Sequence, residues 1–138
     1  MDNNELLKNF GNDIGVKNLR LDSQRSCQLN IDNKYLVLIN EIDDENLLLN
    51  GVIGNLSAEA VEKSATVLLS MNMLFANIDG PYVTWEPKHQ ILLISKPLNT
   101  PETDVIAVHE QIKHLLQNVH HIKESLFQEG IEFTPAEF

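Results

Sequence analysis

Apolar residues recur at helical spacing in Leu6, Leu7, Phe10 and Ile14, behind Asp2 or Asn3, either of which can cap the run. Gly15 follows as a stop, so a short amphipathic helix is predicted at the N-terminus. After a link over 16–25 the period changes to two. The runs 27–31 and 35–39 alternate as strands, and Asp32 and Asn33 between them signal a turn, which predicts a hairpin. A charged turn at 41–45 leads into a third apolar run, 47–53, and then Gly54 and Asn55 break the chain. Ser57, with Glu59 and Glu62 just behind it, caps a helix expected over 58–76. Strands are expected at 82–85 and 90–95, joined across 86–89 and preceded by a turn at 79–81. Pro101 and Glu102 are expected to open a last helix. Its stripe of Val105, Val108, Ile112, Leu115, Val119, Ile122 and Leu126 advances by threes and fours until Gly130.

The order is helix, three strands, helix, two strands, helix. That is an α+β protein, an antiparallel sheet packed by helices. With 138 residues and no repeat, low-complexity tract or linker, a single domain over 1–138 is expected, with 131–138 as a loose tail.

The middle helix differs from the other two. Val61, Ala65, Leu68, Asn72 and Phe75 mark one face, while Val67, Leu69, Met71, Met73 and Leu74 spread apolar groups onto others. A chain this small cannot bury both. One face is expected on the chain's own sheet and the other on a second subunit, because large exposed apolar patches are uncommon on monomers. A homodimer is therefore predicted, with Val67, Met71 and Leu74 at the contact, joined from the strand that follows by Val83 and by Trp85, which reads as an interface anchor or as a core aromatic. Asn72 has two readings: a specifier of subunit pairing, or a local bond to backbone at the helix end.

Charge narrows the list of partners. Twenty Asp and Glu stand against ten Lys and Arg, a net charge of −10, which repels phosphate backbones and anionic lipid. No nucleic acid and no membrane insertion are expected, and no run approaches the roughly 18 apolar residues of a spanning helix. The N-terminus lacks a basic region followed by an apolar run, so a cytoplasmic protein is expected. The single Cys27 cannot form an internal disulfide and reads as a small core hydrophobe in a reducing compartment.

Candidate chemistry is thin. His109 and His114 flank Glu110 at a spacing of five, about 500° of helix rotation, where two ligands on one face need four. They read as surface histidines. His120 and His121 are adjacent and diverge, and His89 stands in a turn. Gly11, Gly15, Gly51 and Gly54 fit neither a dinucleotide fingerprint nor a phosphate loop and read as turn glycines. The acids Glu41, Asp43, Asp44 and Glu45 lack calcium-loop spacing. No nucleophile motif is present, so no catalytic residue, metal or cofactor is expected and the chain reads as a non-enzyme.

The ensemble resembles the class I type III secretion chaperones, the Tir chaperone family, over about residues 6–127. The likeness is carried by Leu6, Leu7, Phe10, Gly11 and Gly15 in the first helix, by Leu21 and Asp22 ahead of the strand 27–32, and by the third-strand phrase 47–51. It continues through 68–72 at the end of the central helix, Gly80, the 96–98 exit from the fifth strand and the long last helix. Ser57 stands where that family often has proline, and Arg25 where it often has glycine. The resemblance implies a bacterial cytoplasmic homodimer. Such a dimer binds a non-globular stretch near the N-terminus of a secreted effector, keeps it secretion-competent and presents it to the secretion apparatus, including its ATPase, using no cofactor of its own. On this sequence it implies a client surface of Leu6, Leu7 and Phe10 with Leu29, Ile31, Leu36 and Leu38. The competing reading is a dimeric small-ligand-binding or sensory module, since a curved sheet under helices can enclose an apolar pocket.

Overall fold

The computed structural model describes residues 1–135. In chain order, α1 spans Asn3–Ile14, β1 Ser26–Ile31, β2 Tyr35–Asp43, β3 Asn46–Asn55, α2 Ala58–Ala76, β4 Tyr82–Glu86, β5 Ile91–Asn99 and α3 Val105–Gln128. The strands form one five-stranded sheet in the order β1-β2-β3-β5-β4, so β1 and β4 are its edges. The α+β order expected from the sequence is the one observed. By chain contacts the molecule divides into two compact units, one built from residues 1–50 and 97–114, the other from 51–96 and 115 onward.

In the first unit, Asp2 caps α1 by accepting the Glu5 N–H at 2.8 Å. Gly15 ends it in the left-handed conformation, and the Val16 N–H returns to the Gly11 carbonyl at 2.8 Å. Gly11 is not a turn glycine. It lies inside α1, and a Cβ there would stand 2.7 Å from the Val16 carbonyl and from Leu19 Cβ, because the link after the helix folds back over it. Leu19 and Leu21 of that link are buried.

β1 and β2 pair antiparallel with Leu29 opposite Val37 and Cys27 opposite Ile39. Asp32 and Asn33 make the turn with φ of 55° and 51°. Arg25, at the position where glycine is frequent in the resembled family, also has positive φ, 59°. Its N–H donates to the Asp22 carbonyl, and its guanidinium is clamped by Glu41, which holds an arginine in a glycine-like conformation.

In the second unit, Gly51 is likewise not a turn residue. It sits within β3, where a Cβ would lie 2.8 Å from Val119 Cγ2 and 3.1–3.2 Å from Ile94 and Leu115, so its bareness lets α3 lie close to the strand. Leu115, Val119, Ile122 and Leu126 of α3 are buried. Ser57 caps α2 by accepting the Ala60 N–H at 3.2 Å. β4 pairs antiparallel with β5, Val83 opposite Ile94 and Tyr82 opposite Ser95.

Three boundaries differ from expectation. β2 runs on through Glu41 to Asp43, so the charged turn expected over 41–45 is confined to 44–45. Pro101 and Glu102 close a 3-10 turn rather than opening α3, which starts at Val105 with the Ala107 N–H on Asp104 Oδ1 at 2.7 Å. β5 runs on through Pro97 to Asn99. Its register with β4 ends at Ser95, so the proline's missing N–H breaks no bond of that ladder. Thr134, within the stretch expected to be loose, exchanges main-chain hydrogen bonds with Asn55 at 2.7 and 3.2 Å, while 136–138 of that stretch lie outside the described residues.

Candidate protein-binding surfaces

The structure separates the residues assigned to a client surface into two groups. Leu6, Leu7 and Phe10 are at most 2% exposed and belong to the core, not to an outer face. A twelve-residue helix with one apolar side needs that side to dock at all. Leu29 is buried too, and Ile31 shares its inward face, because the register places 27, 29, 31, 35, 37 and 39 together. The opposite face carries Gln28, Asn30, Leu36 and Leu38, of which Gln28 and Asn30 are exposed and the leucines half-buried. Thus Leu36 and Leu38 remain accessible.

The same register fixes which main-chain groups of β1 point outward. Glu41 N–H donates to the Arg25 carbonyl, so 25, 27 and 29 turn their main chain toward β2 while 26, 28 and 30 turn theirs away. Ser26 is taken: its N–H reaches Asp22 Oδ1 at 3.1 Å and its carbonyl accepts the Asp22 N–H at 2.8 Å. Gln28 and Asn30 follow as an open stretch of edge.

Next to the start of β1 lies a polar cluster that sequence reasoning missed. Asn3 is buried, and its Nδ2 donates to Glu41 Oε2 and to the Asp43 carbonyl, both at 2.8 Å, while its Oδ1 accepts the Thr100 hydroxyl. Arg25 completes a two-pronged bond to Glu41 at 2.9 and 2.6 Å. The Arg25 hydrogen bonds, then that of Asn3, hold the Glu41 carboxyl below its ordinary pKa. A cleft of about 290 Å³ opens beside it, lined by Asp2, Asn3, Asn4, Arg25, Glu41 and Asp44. The only signal in the sequence was the capping preference of Asn3, which points to a helix end and not to burial. Burial, with a smaller push from Asp22, raises the Cys27 thiol to about 11, so it stays protonated at neutral pH.

α2 presents a different surface. It buries only Ser64 and Leu68. Leu69, Met73, Leu74 and Ile78 are each 64–72% exposed, Val67 and Met71 are half-exposed, and Tyr82 of β4 is exposed beyond them. Of the other residues assigned to a subunit contact, Val83 is buried. Trp85 is half-buried, with its indole N–H on the Leu56 carbonyl at 2.9 Å. Asn72 is engaged within its own subunit: Oδ1 accepts the Val83 N–H at 2.6 Å and Nδ2 donates to the Val83 carbonyl at 3.2 Å. Its partner is main chain, but that of Val83 in β4 and not of the helix end.

The histidines are dispersed. His109 packs edge-on against Phe10, with ring centres 4.8 Å apart, and its Nε2 lies 3.1 Å from Asp13 Oδ2, so it braces α1 rather than standing free on the surface. His89 and His120 each face a nearby glutamate, Glu86 and Glu124. Among the described residues no three His, Cys, Asp or Glu side chains converge where they could hold a metal ion, and no helix is long and apolar enough to cross a membrane.

Comparison with known proteins fits this geometry. The model of the Tir chaperone protein (CesT) family matches residues 5–123. A Tir chaperone of Citrobacter freundii is 27% identical over 128 residues, and one of Escherichia coli O157:H7 is 25% identical over 126. In both cases 91% of this chain and 80% of the relative are covered. Among solved structures, the HopA1-SchA chaperone-effector complex shares the fold with a TM-score of 0.73 at 19% identity, covering 87% of this chain and 91% of that one.

Proposed function

We propose that this chain, which belongs to the Tir chaperone protein family, is a type III secretion chaperone that binds an extended, non-globular segment of a secreted effector. The observation that supports this most directly is the uncovered side of the β1–β2 hairpin. Gln28 and Asn30 offer consecutive outward main-chain groups, and Leu36 and Leu38 stand half-exposed on the outer face of the same hairpin. An extended guest can add to such an edge by main-chain hydrogen bonds while burying its own apolar side chains against the leucines.

The working unit is a homodimer, joined through the exposed apolar residues Leu69, Met73 and Leu74 of α2 and Ile78 of the turn after it. Two copies each bring a face too apolar to leave in water. The chaperone works in the bacterial cytoplasm, keeps the effector segment secretion-competent and delivers it to the secretion apparatus and its ATPase. Offsetting the ordering of a flexible guest takes burial of about 1,000–3,000 Å², more than one short edge supplies, so the guest runs over other apolar surface as well.

The test uses a purified effector N-terminal segment and titration calorimetry. Leu36→Asp and Leu38→Asp should each weaken binding by about tenfold or more while circular dichroism stays that of the wild type. Wild-type affinity in both variants would remove the hairpin from the binding surface.

A further inference from the structure

The other edge of the sheet is closed by a side chain. In an antiparallel ladder alternate residues turn N–H and C=O away from the neighbouring strand, and on an edge strand those groups invite another chain. β4 is such an edge, and both groups of Val83 point outward, where Asn72 of α2 meets them at 2.6 and 3.2 Å. A primary amide carries one acceptor and a pair of donors on one plane, so it takes both main-chain groups of one residue as a neighbouring strand would. Two positions earlier stands Pro81, which has no N–H to offer. No two consecutive outward positions of β4 therefore present a donor and an acceptor, in contrast to Gln28 and Asn30 on β1.

We propose that Asn72 is a plug of the β4 edge, which denies that edge to any extended chain, whether a client segment or β4 of a second copy. The consequence is directional. An extended guest is left with β1 for main-chain pairing, and a second copy is left with side-chain contacts on α2. The polar residue near the end of α2 thereby acquires a reason: Leu or Met at 72 would bury well but leave Val83 open.

This inference deepens the strand-addition reading but is tested on the chaperone alone, so its failure would leave client binding at β1 standing. The experiment combines amide hydrogen exchange at Val83 with native mass spectrometry over a concentration series, for wild type, Asn72→Ala, Asn72→Asp and Asn72→Ser. In Asn72→Ala the Val83 amide should exchange about tenfold faster in dilute solution. With rising concentration, species larger than the wild type's largest should appear while Val83 regains protection. Asn72→Asp keeps the acceptor and should keep the Val83 N–H protected. Asn72→Ser, too short to span both groups, should behave as the alanine variant and replaces it if alanine does not fold. Unchanged Val83 exchange, or faster exchange with no larger species, overturns the plug. A mass shifted only downward overturns it as well and assigns Asn72 to subunit contact instead.

Discussion

α1 and α2 are both rich in apolar residues, yet α1 buries every large one but Ile14 at its last turn, while α2 buries only Leu68. In α1 the apolar residues fall on a single side, and Leu6, Leu7 and Phe10 are at most 2% exposed. In α2 they run round the helix, and Leu68 is the only large one buried. A one-sided stripe is consumed in holding its helix to the fold, because a short helix has little stability of its own. Apolar residues on two sides exceed what one subunit can cover, and the excess is what remains for another chain. Partner surface is therefore to be sought where apolar pattern outruns the available core.

The sharpest way to break this contrast is to charge the two helices in turn. Phe10→Asp or Leu6→Asp places a carboxylate in the core and removes packed volume at once, a loss of more than about 4 kcal/mol. Either variant should be unfolded or molten, with loss of the cooperative urea transition. A normal transition with selective loss of effector binding would return α1 to the client surface.

Much of the fold was legible because its elements announce themselves locally. Ser57 and Gly15 mark helix ends, Asp32 and Asn33 mark a turn, and the stripe of α3 keeps its period for six buried positions. What could not be read was anything that depends on which side faces the rest of the chain. Leu29 and Leu38 look alike in sequence, and only the hairpin register sends the first inward and leaves the second accessible. Gly11 and Gly51 look like turn glycines until the Leu19 and Val119 side chains that need their bareness are in place. Asn3 and Asn72 had no visible partners because Thr100 lies 97 residues from the first and Val83 lies beyond a turn from the second.

On α2, charge should have the opposite outcome. Met73→Glu and Leu74→Glu alter side chains 68% and 64% exposed in the single subunit, so the fold has little to lose. Each should melt within a few degrees of the isolated subunit's temperature while light scattering shows the mass halved from dimer to monomer. A dimer of unchanged mass in both variants would detach the exposed row from self-association and leave it to the effector.

The smallest effect sharpens the account of how α1 is held. Asn3 is the polar counterpart of its apolar stripe, buried and bonded to Glu41, the Asp43 carbonyl and the Thr100 hydroxyl. Asn3→Ala strands those partners and should cost about 1–3 kcal/mol in urea unfolding at pH 7. Part of that loss is pH-dependent, and its sign follows from Glu41. Its pKa is depressed in the folded state by Arg25 and Asn3, so its contribution is present above the unfolded carboxylate's pKa and is lost as pH falls through the folded value. Removing Asn3 leaves the variant with less of this contribution to lose. The stability gap between wild type and Asn3→Ala should therefore be widest near neutrality and narrow toward pH 3. It should not close, because the bonds to Thr100 and the Asp43 carbonyl do not titrate. A gap equal at both pH values would mean that Asn3 holds α1 through those two partners alone, with Glu41 serving only Arg25.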